Sequence, residues 1–273
     1  MDRTDKELAY LHDLYVAPDW GERFAELFDE HVKLPLEGRA LYVAAGTGGH
    51  ALALKERAGK ELTFICVDES DERLVLARAK SAALKADGQV EFRAGQLDAL
   101  AFEDEQFELV LGDASLVAPE RLPEIVAEMA RVSVPGGTVA LNLTTSSSFG
   151  EFFSIYWEAL CSAGLEEHAA HVETLINELP TISEVEKLAA QEALDDVQSW
   201  TNLEEFSFAS GEEFTDAPLV KEFLLKNWLA PLPDEDARTR ALAEVARIID
   251  DERHDAPFIL SIKATLVVGH KAD

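Results

Sequence analysis

The chain has 273 residues, 47% of them apolar, which suffices to bury a full core and sits near the upper size for one domain with insertions. Its 24 basic and 53 acidic residues leave a net charge of −29, a field that repels phosphate backbones and argues against nucleic-acid partners. Cys66 and Cys161 sit in apolar stretches, the chain opens without an apolar signal core, and no membrane-length apolar run occurs, so the expectations are a reducing cytoplasm, no disulfide and no membrane association.

In chain order, Thr4 to Glu7 reads as a capping box before Leu8, Leu11 and Leu14, and Asp19 to Glu22 repeats it before Phe24, Leu27 and Phe28, predicting two N-terminal helices. Short runs rich in Val, Ile and Leu then alternate with helical stretches. Strands are predicted at Ala40 to Ala45, Leu62 to Asp68, Val90 to Phe92, Phe107 to Leu111 and Thr138 to Leu143, with helices after Gly48, at Asp71 and at Glu120. Pro135, Gly136 and Gly137 form the turn feeding the fifth strand. This is an α/β, Rossmann-like, doubly wound and mostly parallel sheet.

Beyond Thr144 the alternation is lost. Residues 149 to 193 read as helices whose Phe152, Phe153, Tyr156, Trp157 and Leu160 form apolar stripes, more simply core than cofactor contacts. The last strands are predicted at Asp196 to Phe208 and Phe258 to Val268, with helices at Ala217 to Leu229 and Asp234 to Ile249 between them. The expected organisation is an N-terminal helical cap (1–36), a core (37–145), and helical insertions plus two strands completing the sheet (146–273), all in one domain. The first and late helices are expected to form a lid at the sheet's carboxyl edge.

The central signal is Leu41-Tyr42-Val43-Ala44-Ala45-Gly46-Thr47-Gly48-Gly49, an apolar strand running into a glycine turn and a helix starting near His50. Glycines let the backbone approach a ligand, and the helix start presents unpaired N–H groups. Twenty residues beyond Gly48, the second strand ends in Asp68-Glu69, where a carboxylate can accept from ribose hydroxyls. Together they describe an adenosine site.

Strand, glycine loop, ribose acid, third-strand polar turn and Pro-Gly-Gly before the fifth strand resemble class I S-adenosylmethionine-dependent methyltransferases, over about residues 38 to 145. The small-molecule branch, which includes quinone and biotin-pathway enzymes, is the most similar. The resemblance implies an antiparallel C-terminal strand, S-adenosylmethionine as cofactor and a small-molecule methyl acceptor. It also implies cofactor contacts from Ala44, Ala45, Gly46, Thr47, Gly48, Asp68 and Glu69, adenine contacts from Gln96 and Leu97, and a place for Asp113 to Ser115 beside the methionine part. Three positions depart from the family pattern: Tyr42 replaces an acid, Ala44 the first glycine, and Gln96 an aspartate.

Methyl transfer needs nucleophile, carbon and sulfur in line, so positioning supplies most of the effect and no universal catalytic side chain is required. For an acceptor needing a base, the candidates are Asp113, His12, His50, His168 and His171, with Asp113 equally readable as a turn cap. His168 and His171 lie three apart but lack a third ligand, so no metal is expected. Tyr10, Tyr15 and Trp20 either close over the adenosine or pack between helices. Two alternatives stay open: an NAD(P)-dependent oxidoreductase, since Gly46 to Ala51 also satisfies Gly-x-Gly-x-x-Gly/Ala, and a non-catalytic protein of the same fold.

Overall fold

The run Ala40 to Val43 has no polar face among its backbone-flanking residues but Tyr42, and the fold buries all four by pairing their strand on both sides. The computed structural model describes residues 3–86, 88–253 and 256–272. Its strands are β1 (Glu37–Val43), β2 (Glu61–Asp68), β3 (Val90–Ala94), β4 (Phe107–Asp113), β5 (Ser133–Thr144), β6 (Leu194–Phe208) and β7 (Phe258–Lys271). They form one sheet in the order β3-β2-β1-β4-β5-β7-β6. β1 to β5 run parallel, and the C-terminal strands add the antiparallel end. The chain moves outward from β1 to β3 and returns to β4 on the other side of β1, which leaves a switch point at the carboxyl ends of β1 and β4.

The helices are α1 (Asp5–Leu11), α2 (Glu22–His31), α3 (Gly49–Arg57), α4 (Asp71–Ala83), α5 (Leu122–Val132), α6 (Gly150–Ser162), α7 (Ala170–Glu178), α8 (Ile182–Gln191), α9 (Gly211–Asp216), α10 (Leu225–Trp228) and α11 (Glu235–Arg253). Among the described residues, no helix is long and apolar enough to cross a membrane.

The capping box of α1 forms as expected, with Glu7 N–H donating to Thr4 Oγ1 at 3.3 Å and Thr4 N–H to Glu7 Oε2 at 2.8 Å. The second one does not form. Asp19 accepts instead from Arg23 at 2.8 Å, Gly21 keeps helical angles, and His12–Gly21 is a π-helix joining α1 to α2 without a break. Pro18 has no N–H to give to the preceding turn, and the wider π winding accommodates it.

The Pro-Gly-Gly turn also differs from expectation, because it lies inside β5. Pairing jumps from Phe107↔Ser133 to Leu109↔Thr138, and Gly136 (φ 73°) takes the left-handed residue of the bulge. Any Cβ on Gly137 would stand 2.5 Å from Ser133 Oγ.

The chain divides into two compact units: Met1–Leu143 with Thr181–Thr201 and Ala264–Asp273, and Thr144–Pro180 with Asn202–Lys263. The reason is a separate core in the second unit. There Phe152 stacks on Trp228 at 4.4 Å and on Tyr156 at 5.4 Å, while Phe214 packs against Phe258 at 4.9 Å and Phe208 at 5.2 Å. These side chains are buried, whereas Trp157 is 40% exposed, so the aromatic stripe is core apart from that residue. The first unit's core joins Leu41, Val43, Val110, Met129, Leu141, Val185 and Val267.

Candidate functional site

β1 ends at Val43 and the chain turns through Ala44 to Gly48 into α3. Ala44 (φ 57°), Gly46 (φ 57°) and Gly48 (φ 75°) are all left-handed. For Ala44, in place of a glycine, this conformation costs about 1–2 kcal/mol. A Cβ on Gly48 would meet Phe92 at 2.7 Å and Ala77 at 2.9 Å, so the loop rests directly on β3 and α4. Ala45 N–H donates to Val67 O and Gly48 N–H to Ala45 O, both at 3.0 Å, and Leu52 N–H donates to Gly48 O at 3.1 Å. The preceding amides of the turn are left for the loop or a ligand.

Asp68, at the tip of β2, is joined to this loop. Its Oδ2 accepts from Gly46 N–H at 2.8 Å and its Oδ1 from Ser70 N–H at 2.9 Å. Arg73, in the first turn of α4, places Nη2 3.0 Å from Oδ1, and the Asp68 side chain is only 2% exposed. Burial raises the Asp68 carboxyl above its ordinary range, against the lowering effects of Arg73, Ser70 and Gly46. Ser70 caps α4 by accepting from Arg73 N–H, which sets where that helix begins.

The π-helical segment lies over the same loop. A Cβ on Gly46 would stand 3.0 Å from His12 Cε1, so the imidazole fills the space above that glycine. Asp13 pairs with Lys80, whose ammonium also donates to Thr47 Oγ1 at 3.1 Å. Burial lowers His12 to about 3, the charges of Arg73 and Lys80 adding to it and Asp13 opposing. His12 is therefore neutral here, which makes it a poor base at neutral pH.

Tyr42 is buried on the opposite face of β1 from Leu41 and Val43. Its Oη lies 3.0 Å from His50 Nδ1, and His50 Nε2 lies 3.0 Å from Asp29 Oδ1. A carboxylate only accepts, so His50 Nε2 carries a proton toward Asp29, and Nδ1 and the tyrosine hydroxyl share the second bond of the chain. Arg57 also pairs with Asp29. Burial raises the Asp29 carboxyl, but the bonds and charges of His50 and Arg57 outweigh it and bring it to about 2. Phe28 stacks on the His50 ring at 5.9 Å. A phenol-imidazole-carboxylate chain thus occupies the position where the family carries an acid.

Beyond the ends of β2 and β3, Arg121 holds Glu69 with two bonds, 3.0 and 2.6 Å, and Asp98 with a third at 3.0 Å. This pairing lowers the Glu69 carboxyl. Of the two expected adenine contacts, Gln96 is exposed, while Leu97 is 3% exposed and belongs to the apolar cluster with Ile65, Val67 and Leu100. Asp113 Oδ1 accepts from Ser115 N–H at 3.0 Å, the turn-capping geometry, and burial raises its carboxyl against the effect of Ser115. Trp20 Nε1–H donates to Ser115 Oγ at 2.9 Å, whereas Tyr10 and Tyr15 are exposed.

The structure therefore brings Ala44 to Gly48, Asp68 and His12 together, with Asp113 and Ser115 on the neighbouring strand end. It places Glu69 outward on Arg121, and His168 and His171 in the second unit. Among the described residues, no group of three or more His, Cys, Asp or Glu could hold a metal ion. Sequence reasoning passed over Arg73, Lys80 and Arg121. An arginine in a first helical turn, against the helix dipole, was the available signal for Arg73.

Residues 40–137 match the family model of a methyltransferase domain. The demethylmenaquinone methyltransferase of Shouchella clausii is 32% identical over 119 residues, 43% of this chain and 50% of that protein, so the chain spans about half the length of the curated relatives it matches. Among solved structures, YcgJ of Bacillus subtilis superposes with a TM-score of 0.60 at 17% identity, covering 92% of this chain and 99% of that one. The phosphoethanolamine N-methyltransferase 2 of Haemonchus contortus, solved with S-adenosylhomocysteine, gives 0.59 at 16% identity, covering 99% and 59%. The nicotinamide alternative draws no support from these matches. Residues 40–137 are thus similar to a methyltransferase domain, within a fold shared with these solved structures.

Proposed function

We propose that the chain is an enzyme that transfers a methyl group from S-adenosylmethionine to a small molecule, in the cytoplasm. The observation that carries this is the left-handed loop Ala44 to Gly48 bonded through Gly46 N–H to Asp68, at the carboxyl ends of adjacent parallel strands. The donor set fits the cofactor: loop amides for its amino-acid end, a carboxylate for vicinal ribose hydroxyls, and the exposed Gln96 amide for the adenine edge. When bound, S-adenosylmethionine supplies a methyl group on a positively charged sulfur. The protein's part is orientation, for which pre-organised approach makes roughly 7–11 kcal/mol available. Asp113, its carboxyl raised by burial, is the candidate base for an acceptor that must lose a proton.

The named relatives support a quinone-type ring as the first acceptor class to test. Calorimetric titration with S-adenosylhomocysteine, followed by radiolabelled methyl transfer to a panel led by demethylated naphthoquinones, tests both levels. Binding without transfer to any panel member would remove the acceptor class and leave the cofactor assignment.

One observation favours a second reading, a protein of this fold that holds no cofactor: both oxygens of Asp68 already have protein partners. Absence of heat and of thermal shift with either S-adenosylmethionine or its demethylated product selects it.

A further inference from the structure

Arg73 occupies a position where helix electrostatics disfavour a cation, in the first turn of α4 near its positive pole. What offsets this is the pair with Asp68, 3.0 Å long, between a side chain 2% exposed and one 29% exposed. Asp68 accepts from Gly46 N–H on one oxygen, and from Ser70 N–H and Arg73 on the other. Three of its roughly four acceptor positions are thus taken, and two vicinal hydroxyls need two. One present donor must leave before a ribose can enter. Gly46 N–H belongs to the loop and Ser70 N–H to the turn that starts α4, so both are held by the backbone. Arg73 is on a flexible stem that reaches solvent, and it alone can withdraw without unmaking the rim.

Resting on the cofactor reading above, we propose that Arg73 is an internal competitor for the nucleoside site, holding the ribose-binding carboxylate closed until ribose hydroxyls replace its guanidinium. Affinity is then set by an exchange rather than by simple docking. His12, beside Arg73 and above Gly46, is uncharged and offers Asp68 no substitute counter-ion once the arginine has left.

The test is calorimetric titration of the whole protein with S-adenosylhomocysteine, comparing the natural chain with Arg73→Met and Arg73→Gln, with circular dichroism melts to check folding. Arg73→Met is expected to bind about ten-fold tighter, as expected when one charge-assisted bond is removed from the competing state. Arg73→Gln, which keeps a neutral donor, is expected to fall between the two, and it carries the test if the methionine variant does not fold. Binding by the natural chain with equal or weaker binding by both folded variants overturns the proposal and leaves the cofactor reading intact. No heat from any of the three proteins overturns both.

Discussion

The loop-and-carboxylate rim of the first unit and the aromatic core of the second are built on opposite principles. Around Asp68 and Gly46 the chain concentrates left-handed residues, an ion pair buried on its carboxylate side and a neutral buried histidine, each of which costs free energy and is held by its surroundings. In the second unit, Phe152, Tyr156, Phe214 and Trp228 meet ring on ring, and Tyr156 Oη–H donates to Trp228 O at 3.3 Å. The contrast lies in what accompanies the strain: at the rim left-handed residues come with buried charge, whereas in the second unit the left-handed Phe149 is held by apolar ring contacts with Phe153 and Trp228.

Substitutions can break that comparison or sharpen it. The largest effect is expected in the second unit, where Phe152→Ala removes a ring with no exposure and should cost about 3–5 kcal/mol in urea unfolding; a loss below 1 kcal/mol would mean that the rings are not a core. At the rim, Asp68→Asn keeps the shape but not the charge, and should weaken S-adenosylhomocysteine binding by about 1.5–3 kcal/mol, read by calorimetry with folding checked separately. Unchanged affinity removes the ribose assignment.

Ala44→Gly has the opposite sign. Relief of the left-handed alanine, at about 1–2 kcal/mol, exceeds the added chain entropy of glycine, about 0.5–1 kcal/mol, so the variant should be more stable by up to about 1 kcal/mol. A destabilised Ala44→Gly protein would show that the methyl group packs usefully.

A pH dependence tests the rim in a different way. His12 titrates near 3 in the fold and near 6.5 when unfolded, so below pH 6.5 the unfolded chain takes the proton first. Its contribution to stability is complete above about pH 6.5 and is lost as pH falls toward 3. Asp29, lowered to about 2 from 3.8, acts only in stronger acid, its contribution present above about pH 4 and lost toward 2. Melting temperatures between pH 6.5 and 4.5 should therefore fall less for His12→Gln than for the natural chain. Parallel curves for the two proteins would place His12 in solvent.

Much of the fold was legible because it depends on period. Buried parallel strands show as apolar runs, and β2 and β4 were predicted to within two residues at each end. The capping box of α1 was legible because both partners lie within one turn. The one expected at Asp19 failed for lack of any local sign that Arg23 would take the carboxylate and leave the helix unbroken. Leu97 was read through its family position, yet an apolar side chain next to Ile65 and Val67 joins the cluster there. Tyr42 showed in the sequence only as a missing acid; its bond to His50 and the bond onward to Asp29, 21 residues from that histidine, depend on how α2 and α3 pack.

The sequence by itself determined the alternation of strands and helices, the left-turning loop after β1 and the acid at the end of β2, because backbone geometry and apolar period are local properties. Only the tertiary structure decided which donors that acid receives, that a histidine from the first helical segment covers Gly46, and that the aromatic residues form a second core. Hydrogen bonds and packing between distant segments follow from where the sheet brings their ends, and no short stretch of sequence encodes that.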